Sequence, residues 1–201
     1  MSGALPTSPA FADLKILSYQ PTIVQRAISG RRQARQIGGQ YFKLFASYAP
    51  MKRSDFAPIH AFIIKQRGAF DTFTVTPPVV SSAQGVGGGT PLINGASQTG
   101  RSVVSDGWPT GATLTVLKAG DFIKFANHTK VYMVTADATC DTSGNATISI
   151  EPELQTSPAN NTAITLNSVP FTVYCSQGNV IEYETGSAGF FAFEVEFCEA
   201  L

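Results

Sequence analysis

Residues 190–197 read Phe190-Phe191-Ala192-Phe193-Glu194-Val195-Glu196-Phe197, and this alternation decides the fold class. Side chains two apart share a face of a strand. Phe191, Phe193, Val195 and Phe197 therefore line an apolar face, and Ala192, Glu194 and Glu196 line the opposite one. A helix would scatter these residues around its circumference, whereas a strand sorts them. Residues 41–48 sort in the same way, with Phe42, Leu44, Ala46 and Tyr48 on one side and Tyr41, Lys43, Phe45 and Ser47 on the other. Aromatic residues on both sides predict a strand covered on both faces.

Upstream of these two strands, Ile16 to Ile28 holds short apolar runs broken by Pro21, which predicts extended chain near a sheet edge. A polar ribbon follows, bracketed by Ser29-Gly30 and Gly38-Gly39. One helix is expected, with Asp55 as N-cap and Pro58 at the third helical position, where no N–H is needed. Ile59, Phe62 and Ile63 then form its buried stripe, Lys65 and Arg67 suit its negative end, and Gly68 stops it. Phe70 to Thr76 reads as a strand closed by Pro77-Pro78. Residues 81–115 are rich in Gly, Ser and Thr and read as linker with short β-excursions. Further strands are expected at Phe122–Phe125, Lys130–Thr135, Ala146–Ile150, Phe171–Tyr174 and Val180–Tyr183. The expected fold is mainly β (α+β), a sandwich or barrel-like scaffold with one short helix and an inserted small β-module. The scaffold takes residues 1–78 plus 171–201, and the insertion takes 79–170.

The composition agrees with a packed β-rich chain. Of 201 residues 43% are hydrophobic, 14% are charged, and Phe alone contributes 14, which excludes a disordered polyelectrolyte. No apolar run is long enough to cross a bilayer as a helix. The start, Met1 to Asp13, lacks the basic and apolar regions of a signal peptide. The formal net charge is zero, yet it is segregated. Residues 1–80 hold ten bases and three acids (+7), and residues 81–201 hold four bases and eleven acids (−7). Such a split predicts a nucleic-acid face, pairing within the molecule, or stacking between copies.

Catalytic, metal-binding and cofactor signatures are not found. Gly85 to Gly89 lacks the Lys-Ser/Thr ending of a phosphate loop and reads as linker. Asp137, Thr139, Asp141 and Ser143 mimic a calcium loop, but Thr142 stands where glycine is required and Ile148 where glutamate is. His60 and His128 have no nucleophile context and read as structural. The pairs Glu182/Glu184 and Glu194/Glu196 each share a strand face, and a solvated or interface-facing strand edge explains them better than glycoside hydrolysis. Cys140, Cys175 and Cys198 form neither a zinc nor a redox pattern and read as buried thiols. The candidate assembly contacts are Arg31, Arg32 and Arg35 of the basic ribbon, with Glu194 and Glu196 of the last strand. Trp108, the sole tryptophan, is the candidate peripheral contact.

The order Tyr41-Phe42-Lys43-Leu44, then Ile59-His60-Ala61-Phe62-Ile63, then Gly68 to Pro78 with its aromatic strand and Pro-Pro ending, resembles the distal tail family of tailed phages. That family includes the lambda-type minor tail protein M. Phe190 to Phe197 matches the closing strand of its ring-forming domain, and residues 112–154 resemble small β-modules of phage tail proteins. The departure is the large insertion. The resemblance implies a non-enzymatic virion protein assembled in the host cytoplasm without cofactors. It further implies a ring, commonly a hexamer, joining the tail tube protein to hub and tip proteins around a DNA channel. The competing readings are a carbohydrate- or receptor-binding module presenting Trp108, and a head-decoration or connector protein.

Overall fold

A computed structural model describes residues 2–176, 182–185 and 189–201. The chain forms two compact units, Met1–Phe73 with Val173–Leu201, and Thr74–Thr172. Both are built on strands, and among the described residues there is one helix, so the fold is mainly β as the alternation predicts. That helix is not long and apolar enough to cross a membrane.

The first unit is organised by β4 (Tyr41–Lys52) and β16 (Phe190–Glu199), which pair antiparallel with Leu44 opposite Phe197 and Ala46 opposite Val195. β1 (Asp13–Tyr19) borders β4, and β14 (Phe171–Cys175) and β5 (Phe73–Val75) complete the order β1-β4-β16-β14-β5. β15 (Tyr183–Thr185) pairs with the N-terminal part of β16. Of the expected strand Val180–Tyr183, Val180 and Ile181 lie outside the described residues. Phe42, Leu44, Ala46, Tyr48, Phe193, Val195 and Phe197 are all buried, as the period-two pattern requires. The other face of β4 is less covered than expected. Phe45 is 37% exposed, and Tyr41, Lys43 and Ser47 are half-buried.

Helix α1 (Arg53–Lys65) buries Phe56, Ile59 and Ile63. Phe56 stacks on Phe191 with ring centroids 4.9 Å apart and meets Phe193 edge-on at 6.0 Å. The helix starts earlier than Asp55 suggests. Its N-cap is Lys52, the last residue of β4, which offers no side-chain cap. Pro58 is therefore the sixth helical residue, and its missing N–H removes a bond that the carbonyl of Ser54 would otherwise accept. Asp55 still sits in the first turn, where the helix dipole favours a carboxylate. The left-handed turn at the other end begins on Arg67 (φ 56°) and continues through Gly68 (φ 67°). Arg67 is steadied there by Asp71 at 2.6 Å and by stacking over Phe70 at 4.4 Å.

The second unit closes on itself. β13 (Ile164–Thr165), β9 (Phe122–Phe125), β10 (Val131–Val134) and β12 (Ala146–Glu151) are successive neighbours. β12 also pairs with β7 (Ser102–Asp106), which pairs with β6 (Leu92–Ile93). A bridge from Leu92 to Ala163 returns the sheet to the start of β13, giving a barrel-like closure that leaves few open edges. β11 (Ala138–Cys140) and β8 (Leu114–Leu117) branch from β12. Ile93, Val103, Val116, Ile123, Phe125, Tyr132 and Ile148 are among the side chains filling the interior. The glycine run is not a free linker. Val86 and Gly87 donate to the carbonyls of Thr115 and Val116, and a Cβ at Gly85 would collide with the Val116 backbone. Glycine is there because two backbones touch.

Ile63 and Ile64 are adjacent in α1, one buried and one 51% exposed. Ile63→Ala should lower unfolding free energy by about 2–5 kcal/mol, whereas Ile64→Ala should change it by less than about 1 kcal/mol. Equilibrium denaturant titration of both variants checks this difference.

Candidate assembly surface

The basic ribbon is a two-stranded sheet of β2 (Thr22–Arg26) and β3 (Arg32–Gln36), and every residue of both strands is exposed. Pro21 separates it from β1, consistent with a proline excluded from a central ladder. Ile23 lies opposite Arg35, Val24 opposite Ala34, and Arg26 opposite Arg32. Residues directly opposite share a face. One face thus carries Arg26, Arg32, Val24 and Ala34, and the other carries Arg35 with Ile23. The three arginines singled out in the sequence are not brought onto one face. Arg32 and Arg35 point to opposite sides, and Arg31 lies in the connecting turn. Arg26, at the start of the basic ribbon but outside the candidate contacts, shares the face of Arg32, as the two-residue period of the ribbon requires.

Glu194 and Glu196 lie on the outward face of β16, but in different settings. The Glu196 carboxylate accepts from Lys43 Nζ at 2.9 Å. Burial pushes that carboxyl up, but the Lys43 ammonium and the Ser176 side chain together hold it below its ordinary value; Lys43 is raised in turn. Glu194 instead joins Glu182 and Glu184 around a groove of about 320 Å³, with Ala192, Tyr183 and Phe193 completing the lining. The register behind this groove sets Tyr183 opposite Phe193 and Glu184 opposite Ala192.

Trp108 does not form a peripheral contact. It is 2% exposed in the core of the second unit, and its Nε1–H donates to the buried hydroxyl of Ser105 at 2.8 Å. That hydroxyl donates onward to the carbonyl of Ala146 at 3.0 Å. Asp141, at the calcium-loop mimic, is a turn cap. Its carboxylate accepts from the backbone of Ser143 and Asn145, each at 2.8 Å, and these donors lower its pKa, the Asn145 backbone most. The three cysteines are buried and unpaired, and burial pushes the Cys175 thiol up to about 11. His60 stacks on Phe56 at 5.0 Å, and His128 meets Phe125 edge-on at 5.4 Å, so both belong to aromatic clusters.

Two measurements follow from these placements. Intrinsic tryptophan fluorescence arises from Trp108 alone, so its emission should be blue-shifted and nearly insensitive to iodide. Emission quenched as strongly as that of free tryptophan would contradict the burial. Burial holds the His128 pKa below its ordinary 6.5. The folded state therefore binds fewer protons than the unfolded one, and its stability is complete above pH 6.5 and declines as the pH falls below it. Thermal unfolding followed by Trp108 emission should show this decline, and His128→Gln should flatten it.

Residues 82–169, within the second unit, match the family model described as Distal tail protein pb9, B domain. No curated protein matches the chain. The match covers under half of the sequence, and it falls on the segment read from sequence as the insertion. The aromatic strands and helix of the first unit supply the motifs of the distal tail resemblance, and the barrel supplies an independent match to the same family. Residues 82–169 are thus similar to the B domain of distal tail protein pb9, in keeping with the distal tail resemblance carried by the motifs of the first unit.

Proposed function

We propose that this protein forms a ring at the distal end of a phage tail, joining the tail tube to the hub and tip proteins and keeping the DNA channel continuous. The observation that carries the reading is the match of residues 82–169 to a distal tail protein domain. Support comes from the first unit, whose ribbon is exposed on both faces, an arrangement suited to contact with a neighbour. By resemblance the ring holds six copies and is built in the host cytoplasm from residues 1–78 and 171–201. Its mechanism is mechanical: paired strands resist deformation, and the second unit adds a peripheral module. Arg31, Arg32, Arg35, Glu194 and Glu196 are assigned to assembly contacts. Of these Glu196 contributes least, because Lys43 already neutralises it. Unlike charges on different surfaces of one copy suit a heterologous interface, which closes into a ring when the rotation permits.

The carbohydrate-binding reading loses the aromatic platform it relied on, because Trp108 is buried. Native mass spectrometry and negative-stain imaging of the chain, alone and co-produced with its tail partners, test the ring. Closed cyclic assemblies at the tail end are expected. Monomers alone, with the partners present, would overturn it.

A further inference from the structure

Two surfaces of the first unit repel themselves within one copy. On the ribbon, Arg26 and Arg32 stand directly opposite each other on one face. Like charges at such a position weaken a strand pair, and a lone two-stranded ribbon is marginal even without them. Around the β15–β16 groove, Glu182, Glu184 and Glu194 converge with no cation among the lining residues. Among the described residues, neither the arginines of the ribbon nor these three glutamates form an ion pair. Every ribbon residue is exposed, so the ribbon does not fill the groove of its own copy.

We propose, resting on the ring reading above, that the Arg26/Arg32 face of one copy seats in the Glu182/Glu184/Glu194 groove of the next. Guanidinium forks match carboxylates in a planar, two-bond geometry, so two arginines meeting three carboxylates relieve both repulsions together. The apolar parts correspond as well. Val24, 51% exposed, lies beside the two arginines on their face, and Ala192 lies beside Glu184 on the groove face, whereas Tyr183 turns to the other side, against Phe56 and His60. The contact joins unlike surfaces, so it gives the assembly a direction around the ring and a strong dependence on salt. Arg35 and Ile23, on the opposite ribbon face, are left for a different neighbour or for solvent.

Three variants test the pairing in assembled tails: Arg26→Glu with Arg32→Glu, Glu184→Arg with Glu194→Arg, and all four together. Ring-incorporated protein is quantified by native mass spectrometry at low and high salt, with circular dichroism confirming that each variant folds. Either reversal alone should reduce incorporation about tenfold or more, and the fourfold variant should recover most of it. As a second measurement, a carbodiimide should cross-link an Arg32→Lys chain to Glu184 or Glu194 of a differently isotope-labelled copy. If wild-type rings form and both reversals assemble normally, or only the ribbon reversal fails, the pairing is overturned while the ring stands. The second of these outcomes would assign the ribbon to nucleic acid or another tail protein. A fourfold variant no better than the worse reversal, with no intercopy cross-link, also overturns the pairing. Absence of any wild-type ring overturns both readings.

Discussion

The register between β4 and β16 is the constraint on which the first unit depends. With Leu44 opposite Phe197 and Ala46 opposite Val195, both strands send their large apolar side chains to the face that receives α1. A slip of β16 by one residue would turn Glu194 and Glu196 inward and expel three phenylalanines, a change that no local rearrangement could absorb. The same register places Glu196 where Lys43 can reach it and leaves Glu194 to the groove formed with β15. A pairing between residues about 150 positions apart thus fixes both the core and the chemistry of the outer face.

Much of this was legible because strand alternation is a short-range signal with a long-range consequence. Phe190 to Phe197 and Tyr41 to Tyr48 sort their side chains as expected, and of the helical stripe Ile59 and Ile63 are buried while Phe62 is half-buried. What failed had competing local explanations. Pro58 points to a helix start near Asp55, but β4 runs straight into α1, and strand pairing holds the chain in place of a capping side chain. The glycine run has the composition of a linker, and only the closeness of the Val116 backbone shows why side chains are excluded. Trp108 follows Val103 and Ser105, both inward on β7, and its indole N–H finds a partner in that same strand. A sole tryptophan in a Gly- and Ser-rich segment is easily read as a surface platform, although its N–H can be satisfied inside. The candidate assembly residues were legible as residue types and not as a face. Arg31, Arg32 and Arg35 are close in sequence, but the pleat of the ribbon separates them and brings Arg26 to Arg32 instead.

The zero net charge takes on a different meaning once it is divided between the units. The second unit holds four bases and six acids, a net charge of −2. The first holds ten bases and eight acids, a net charge of +2. The large asymmetry along the sequence therefore lies mostly inside one folded unit. There it is expressed as a positive ribbon and a negative sheet edge. Local like-charge crowding of this kind lowers the stability of a solitary molecule and favours contact with another surface.

β5 and β14, the strands by which the chain leaves and re-enters the first unit, are neighbours in its sheet. A segment of about one hundred residues is thus spliced between two adjacent positions, and the β4–β16 pairing does not pass through it. The barrel, for its part, closes through its own bridge from Leu92 to Ala163. This topology makes the first unit a chassis and the second a cartridge. One can be lengthened, shortened or replaced over evolutionary time without rewriting the pairing code of the other.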